Sequence, residues 1–175
     1  MGTASTATHF AGIDVSKDTL DARLLGPGGA TRPKRLANDP KGHAALLAWA
    51  DKHAPGGTVH FCLEATGPYP EGIATHLHEA GRLVSVANPA RVKAYAKVCG
   101  QANKTDPADA RAIATFCRDR NPRAWVPPPP EVRQLQALVR RRDELRSMAA
   151  AEKNRLAAPN LTPAARKSVA RVIRL

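Results

Sequence analysis

The sequence predicts an α/β protein in which a mixed β-sheet with flanking helices is followed by a long, basic helical segment. Short apolar runs bounded by Gly, Pro and Asp alternate with helix-sized segments through most of the 175 residues. Aromatic residues make up only 4% of the chain, so the core must be built from Leu, Val, Ile and Ala. Four consecutive prolines separate this part from a stretch that lacks any helix breaker.

The first elements are three strands, predicted over residues 10–15, 19–25 and 30–37. The second and third are joined by Gly26-Pro27-Gly28-Gly29, which is a strong turn sequence. Strands this close in sequence must pair antiparallel. The sheet therefore begins as an antiparallel meander.

The next segments alternate between helix and strand, which predicts crossover connections and parallel pairing. In chain order we expect a helix opened by Asn38-Asp39-Pro40, a strand over 58–64, a helix around 73–80, a strand over 82–87, and helices over 89–99 and 106–119. The whole pattern describes a mixed sheet with helices packed against it.

The chain divides at a proline-rich linker. We predict a first domain over residues 1–120, a linker over 121–130, and a helical arm over 131–175. One long helix should span 131–158, and another should start near Ala164. Because Leu175 ends the chain within a helical pattern, we expect it to be part of a longer protein.

Net charge is the strongest compositional signal. The formal charge is +12 and the isoelectric point is near 10.4. Residues 1–130 hold 16 basic and 11 acidic side chains, whereas residues 131–175 hold 11 and 4. Such a balance favours a polyanionic partner, most often nucleic acid. A soluble basic surface without that function is the alternative.

Cysteine usage and hydropathy indicate the compartment. Cys62, Cys99 and Cys117 are far apart and lack metal-binding spacing, so we predict buried thiols in a reducing compartment. No run reaches the roughly 18 apolar residues of a membrane span, and the opening residues do not resemble a signal peptide. We therefore expect a cytoplasmic protein without a membrane partner.

Two acids open the predicted helix at 106–119. Asp106-Pro107-Ala108-Asp109 is a good helix N-terminus, with Asp106 as the cap, and this interpretation needs no chemistry. Two further acids lie in apolar strands, Asp14 in the first and Glu64 at the end of the fourth. Burying such an acid is costly unless it is paired or binds a cation. A solvated strand edge would explain either strand acid alone.

Together, these four acids suggest a metal site. If the fourth strand pairs beside the first, Asp14 and Glu64 become neighbours, and a helix across that edge brings Asp106 and Asp109 to meet them. Clustered carboxylates stay ionised only when a cation neutralises them. Oxygen ligands select a hard ion such as Mg²⁺ or Mn²⁺, and two such ions serve phosphodiester chemistry.

Four ordered motifs carry a family resemblance through residues 10–120. They are Gly12-Ile13-Asp14-Val15-Ser16-Lys17, Leu63-Glu64-Ala65-Thr66-Gly67 with Tyr69, Asn88-Pro89 with Arg91-Val92-Lys93, and Lys104-Thr105-Asp106-Pro107-Ala108-Asp109-Ala110. This set resembles the N-terminal half of the DEDD transposases of insertion sequence family 110. The helical segment with Ala151-Glu152-Lys153-Asn154-Arg155-Leu156 is similar as well.

The resemblance implies a RuvC-like, RNase H-type fold whose DEDD tetrad, here Asp14, Glu64, Asp106 and Asp109, binds Mg²⁺. It implies a DNA recombinase, acting at the bacterial nucleoid with a structured bridge RNA and as a homodimer or higher oligomer. Family members take a nucleophilic serine from a C-terminal domain. Ser147 and Ser168 do not match that serine, so no nucleophile is assigned.

Basic residues near these motifs are candidates for phosphate binding, with a solvated role as the alternative. They are Lys17, Arg91, Lys93, Lys97, Lys104 and Arg111, together with Arg140, Arg141 and Arg142 in the arm. Two other functions stay open for the whole chain. One is a self-sufficient structure-selective endonuclease of the Holliday-junction type, and the other is a non-catalytic RNA- or DNA-binding module.

Overall fold

A computed structural model of the chain describes residues 7–99 and 106–173, except for the side chains of 106–108. Strands and helices follow in the predicted order. They are β1 (His9–Val15), β2 (Thr19–Leu25), a 3-10 turn (Pro27–Gly29), β3 (Thr31–Ala37), α1 (Pro40–His53), β4 (Val59–Glu64), α2 (Pro70–Glu79), β5 (Leu83–Ala87), α3 (Pro89–Val98), α4 (Asp106–Arg120), α5 (Pro130–Leu156) and α6 (Pro163–Ile173).

The five strands form one mixed sheet in the order β3-β2-β1-β4-β5. β1 pairs antiparallel with β2, and β2 with β3, whereas β4 pairs in parallel with both β1 and β5. The antiparallel part follows from the tight turns, and the parallel part from the crossovers through α1 and α2. The predicted RNase H-like mixed sheet is thus confirmed, as is the long helix after the prolines.

Alternation along the strands gives the sheet two apolar faces. Ala11 and Ile13 of β1 and Leu63 of β4 lie on one face, in the same core cluster as Leu46 of α1 and Leu77 of α2. Cys62 and Ala87 lie on the other face, in a smaller cluster with residues of α3 and α4. Because successive side chains point to opposite faces, Gly12 and Asp14 belong to the α4 side.

Helix α4 packs directly on β1 at Gly12. A Cβ atom at that position would overlap backbone atoms of Ala110 and Ala114. The missing side chain is what lets the helix backbone approach the strand this closely. A glycine inside an apolar strand therefore fixes where α4 crosses the sheet.

The segment after α4 is held against β5 before the prolines begin. The backbone N–H of Trp125 donates to the carbonyl of Val84 at 2.7 Å. The Ser85 hydroxyl lies 2.9 Å from the carbonyl oxygens of both Pro122 and Arg123, and 2.8 Å from Nε2 of the buried His60. The first half of the predicted 121–130 linker thus adds to the packing of the sheet.

The chain separates into two compact units, Met1–Pro127 and Pro128–Leu175. The first contains the sheet and its core. In the second, α5 and α6 contact each other, and the Arg166 guanidinium donates to the carbonyl of Leu156 at 3.2 Å. No described residue of α5 or α6 is buried.

The cysteines differ from the sequence prediction in one case. Cys62 and Cys117 are buried, but Cys99 is exposed because it follows the last turn of α3 outside the core. The Cys117 thiol contacts Cys62, and that hydrogen bond together with burial raises the pKa of Cys117. Within the described ranges, no helix combines the length and apolar character that a membrane crossing requires.

Candidate active site

The register of the sheet brings Asp14 and Glu64 side by side. The last parallel pair between β1 and β4 joins Ile13 to Leu63, and the two acids are the next residue on each strand. Residues at the same register position of neighbouring strands point to the same face. Both side chains are half-buried, and both take part in further interactions.

Helix α4 runs antiparallel to β1 and β4. Its Ala110 and Ala114 lie over Gly12, while the Cys117 thiol lies 3.9 Å from the carbonyl oxygen of His60, at the beginning of β4. The N-terminal end of α4 therefore points toward the strand ends that carry Asp14 and Glu64.

The rise per residue of a helix and of a strand gives the positions of Asp109 and Asp14 relative to the contact at Gly12. Asp109 lies about 4.5 Å along α4 from the midpoint of the Ala110–Ala114 contact, at about 1.5 Å per residue. Asp14 lies about 6.6 Å beyond Gly12, at about 3.3 Å per residue of strand. Asp109, which is half-buried, thus lies beyond the Gly12 contact in the direction of the strand acids.

The fourth predicted acid is described only in part. Asp106 is the first residue of α4, but its side chain lies outside the described ones, and Lys104 lies outside the described residues. Carboxylate oxygens suit a hard divalent cation. Among the side chains that are described, however, no three Asp, Glu, His or Cys residues form a ready metal-binding group. Asp14 and Glu64 are the adjacent pair on which such a site would be built.

Asp21 is an acid that the sequence interpretation left outside the site. It lies opposite Asp14 in the β1–β2 register, and its carboxylate forms an ion pair with Arg35 at 3.2 Å. Its side chain is only 15% exposed, because α4 packs over this part of β2. Asp21 therefore does not face open solvent, although the alternation of β2 places it on the face opposite to the buried Leu20 and Ala22. The hairpin register, which follows from the short β1–β2 turn, was the signal that could have identified it.

Acidic residues thus form a row across the sheet. Arg35 of β3 is paired with Asp21, Asp21 is opposite Asp14, and Glu64 is opposite Ala87 of β5. Three carboxylates on adjacent strands repel one another, and one arginine at the end of the row offsets part of that charge. Carboxylate oxygens in such a row are suitable ligands for a hard cation.

The described basic candidates are all at the surface. The exposed residues include Lys17 after β1, Arg91, Lys93 and Lys97 on α3, Arg111 on α4, and Arg140, Arg141 and Arg142 on α5. In the arm, Arg141 pairs with Glu144 at 3.3 Å and Arg142 with Asp143 at 2.8 Å. These exposed pairs are weak and leave the cations accessible to phosphate.

Comparison with known proteins places this sheet and its acids in a family. The family model described as a transposase, of the DEDD type in insertion sequence family 110, matches residues 11–161. The chain belongs to this transposase family. The resemblance seen in the sequence is thereby confirmed, and the match includes both strand acids, α4 and all of α5.

Two curated relatives are pilin gene-inverting proteins, from Moraxella lacunata and Moraxella bovis. Each is 31% identical over 147 residues, which cover 83% of this chain and 45% of the relative. The chain thus spans slightly less than half the length of these relatives. Among solved structures, Thermus thermophilus RuvC matches with 18% identity and a TM-score of 0.43, covering 65% of this chain and 96% of RuvC.

Proposed function

We propose that this chain is the acidic catalytic part of a DNA recombinase that cleaves phosphodiester bonds and transfers strands. The observation that carries the proposal is the adjacency of Asp14 and Glu64 at one edge of the sheet, with the N-terminal end of α4 directed to it. Membership of the transposase family supports the same chemistry. The names of the two relatives refer to inversion of a pilin gene, which is a DNA rearrangement.

In this proposal Asp14, Glu64, Asp106 and Asp109 hold Mg²⁺ or Mn²⁺. Such ions, when bound, activate a nucleophile and stabilise the leaving oxygen of a phosphodiester. The carboxylates provide hard oxygen donors, and the close contact of α4 with Gly12 keeps the helix acids at a set distance from the strand acids. Asp21 and Arg35 hold the β2 end of the row in place through their ion pair.

The basic residues would bind the nucleic-acid backbone. Lys17, Arg91, Lys93, Lys97 and Arg111 are exposed on the sheet unit, and Arg140 to Arg142 are exposed on the arm. The formal charge of +12 supports a polyanionic partner. Lys104, two residues before α4, belongs to the same proposal by its sequence position.

Three finer points come from the family resemblance, and the structure adds support to the last of them. They are a structured bridge RNA as guide, a nucleophilic serine contributed by a second domain, and assembly as a homodimer or higher oligomer through the arm. The exposed apolar side chains of α5, including Leu135, Leu138, Leu145 and Met148, support self-association. Cytoplasmic localisation at the nucleoid likewise stays a prediction.

The test replaces single acids in the natural full-length protein. We expect Asp14→Asn and Glu64→Gln to lower recombination of donor and target plasmids in Mg²⁺ by about a thousandfold or more, because each removes a charged metal ligand. Asp18→Asn, at an exposed acid in the β1–β2 turn, is the matched control and should keep full activity. Binding of Mn²⁺, followed by paramagnetic broadening, should weaken in the first two variants and not in the control.

Recombination that survives Asp14→Asn would refute the proposal. Metal-dependent cutting of branched DNA by this chain alone would instead support the self-sufficient nuclease. If the variants at all four acids changed neither cleavage nor any cellular output, a non-catalytic binding module would be the better description.

A further inference from the structure

A groove between α3 and α4 lies outside the acidic site. It encloses about 340 Å³, at the lower end of the range of roughly 300–1,000 Å³ for small-molecule pockets. On each helix, the residues that line it are about one turn apart and lie on the same face. The lining residues are Arg91, Ala94, Tyr95 and Val98 of α3, and Phe116 and Arg120 of α4.

The floor of the groove is apolar and rigid. Tyr95 and Phe116 are 8% and 3% exposed, and their rings meet edge to face with centroids 5.6 Å apart. The Tyr95 hydroxyl donates to the Asp119 carboxylate, and burial together with this bond raises the pKa of Tyr95. Val98, by contrast, is 83% exposed at the rim. The groove therefore offers apolar surface that a ligand could cover.

Two guanidinium groups flank this floor. Arg120 lies over the Tyr95 ring, with its central carbon 5.6 Å from the ring centroid, and Arg91 lies one helix turn before Tyr95. The nearby Asp119 is already bound by the Tyr95 hydroxyl and by Arg118 at 2.7 Å. Among the described residues, neither Arg91 nor Arg120 forms a direct ion pair, although Arg120 interacts electrostatically with Asp119. The groove thus combines an exposed apolar rim at Val98 with guanidinium groups that can bind an anion.

We propose that this groove binds one unpaired nucleobase of single-stranded DNA, with Arg91 and Arg120 on its phosphates. An unpaired base offers a flat apolar face next to a negative charge, which matches the exposed apolar side chains of Ala94 and Val98 beside two guanidinium groups. Duplex DNA presents its phosphates but keeps those faces stacked inside. The inference rests on the proposed function in taking DNA as the substrate.

The groove is distinct from the acidic edge. Arg120 is eleven residues beyond Asp109, which corresponds to about 16 Å along α4. A base held in the groove would anchor a displaced strand at a distance from the acids. That role requires neither the metal nor cleavage, so it can be measured without either.

The experiment measures binding of a 12-nucleotide single-stranded DNA to the full chain by fluorescence anisotropy, without divalent metal. The comparison ligand has the same backbone with abasic sites in place of its central bases. We expect the unaltered protein to prefer the base-bearing strand by about tenfold. Val98→Asp should remove this preference, whereas Arg120→Ala, at a phosphate-binding position, should weaken the binding of both ligands. Val98 is exposed, so its substitution should leave the core intact.

Lys93→Ala is the matched control, since Lys93 is an exposed cation on α3 outside the groove. It should weaken both ligands equally and keep the preference. Equal binding of the two ligands by the unaltered protein, or an unchanged preference in Val98→Asp, would overturn the proposal. So would tighter binding of an RNA of the same sequence, or binding of an acidic, apolar peptide in the groove with no binding of the DNA.

Asp14→Asn, assayed in parallel, separates this inference from the proposed function. Loss of recombination with an intact base preference supports both. If the unaltered protein shows no base preference while recombination still depends on Asp14, only the groove proposal is refuted. Recombination that no longer depends on Asp14, with the preference intact, would remove the catalytic proposal alone.

Discussion

The two units of the chain are stabilised in different ways. Met1–Pro127 buries side chains on both faces of its sheet, and residues such as Ile13, Leu63 and Ile113 have no exposed surface. In Pro128–Leu175 the described residues of both helices are exposed or half-buried, and Leu135, Leu138 and Met148 are each about 60% exposed. The first unit has its own core, whereas the arm presents apolar surface that a partner would have to cover.

This difference is consistent with the division of roles in the proposed function. Positioning carboxylates requires a rigid scaffold, and close packing provides one. Binding a long polyanion or a second chain requires exposed cations and apolar side chains instead. The arm has both, with seven more basic than acidic residues over 131–175.

A substitution at Gly12 tests how tightly α4 packs on the sheet. Gly12→Val should destabilise it by about 4 kcal/mol or more, because the new side chain overlaps the backbone of α4. Chemical unfolding followed by tryptophan fluorescence measures the change. Gly72→Ala is the control, since its Cβ would meet only the His43 ring at 3.6 Å. It should be neutral or stabilise α2 by about 0.5–1 kcal/mol. If Gly12→Val left the free energy of unfolding unchanged, α4 would not be tightly packed against β1.

A second pair of substitutions contrasts the two units directly. Leu63→Ala, at a fully buried position, should cost about 3 kcal/mol of unfolding free energy through the cavity it leaves. Leu138→Ala, at a position 62% exposed, should cost less than about 0.5 kcal/mol in the monomer. Urea titration at low protein concentration checks both values. A large effect at Leu138 would mean that the arm has a partner under those conditions.

A third prediction concerns how stability depends on pH. The sheet unit contains the buried His60, whereas the described residues of the arm include no histidine. Burial lowers the pKa of His60 to about 4 from an ordinary value near 6.5. The unfolded chain then binds the extra proton first, so stability is full above pH 6.5 and falls as the pH drops toward 4. From pH 8 to 5, His60 should account for about 2 kcal/mol of lost stability.

Urea midpoints across this pH range, compared between the unaltered protein and His60→Gln, measure that contribution. The variant should lose less stability on acidification than the unaltered protein. The helical signal of the arm should change little over the same range. Parallel pH profiles for the two proteins would contradict the prediction, because they would mean that the pKa of His60 is the same in the folded and the unfolded chain.

Much of the fold could be predicted from particular residues. Alternation in β1 separates Ala11 and Ile13 from Gly12 and Asp14, and the turn at residues 26–29 defines the β2–β3 hairpin. Asp39 was expected to open α1, and its carboxylate accepts from the Gly42 N–H at 2.7 Å. These features are local, so propensity and periodicity identify them.

Features that depend on tertiary contacts could not be predicted in the same way. Gly12 shows no sequence signal of its contact with Ala110 and Ala114, which are about a hundred residues away. Asp21 looked solvent-facing because alternation does not reveal that α4 covers β2. For the site, strand pairing explains the Asp14–Glu64 adjacency, whereas the metal-ligand set stays a prediction that includes Asp106.

The segment before the prolines, which is hydrogen-bonded to β5, affects how copies of the protein can pair with one another. A sheet edge with free N–H and C=O groups is a template for adding further strands. At one edge, β3 is exposed and contains Pro33, Lys34 and Arg35, which oppose strand addition. At the other, the Trp125 N–H bonds to Val84 of β5. Both edges are thereby guarded against intermolecular β-pairing, which lowers the risk of amyloid-like aggregation at high local concentrations of the protein.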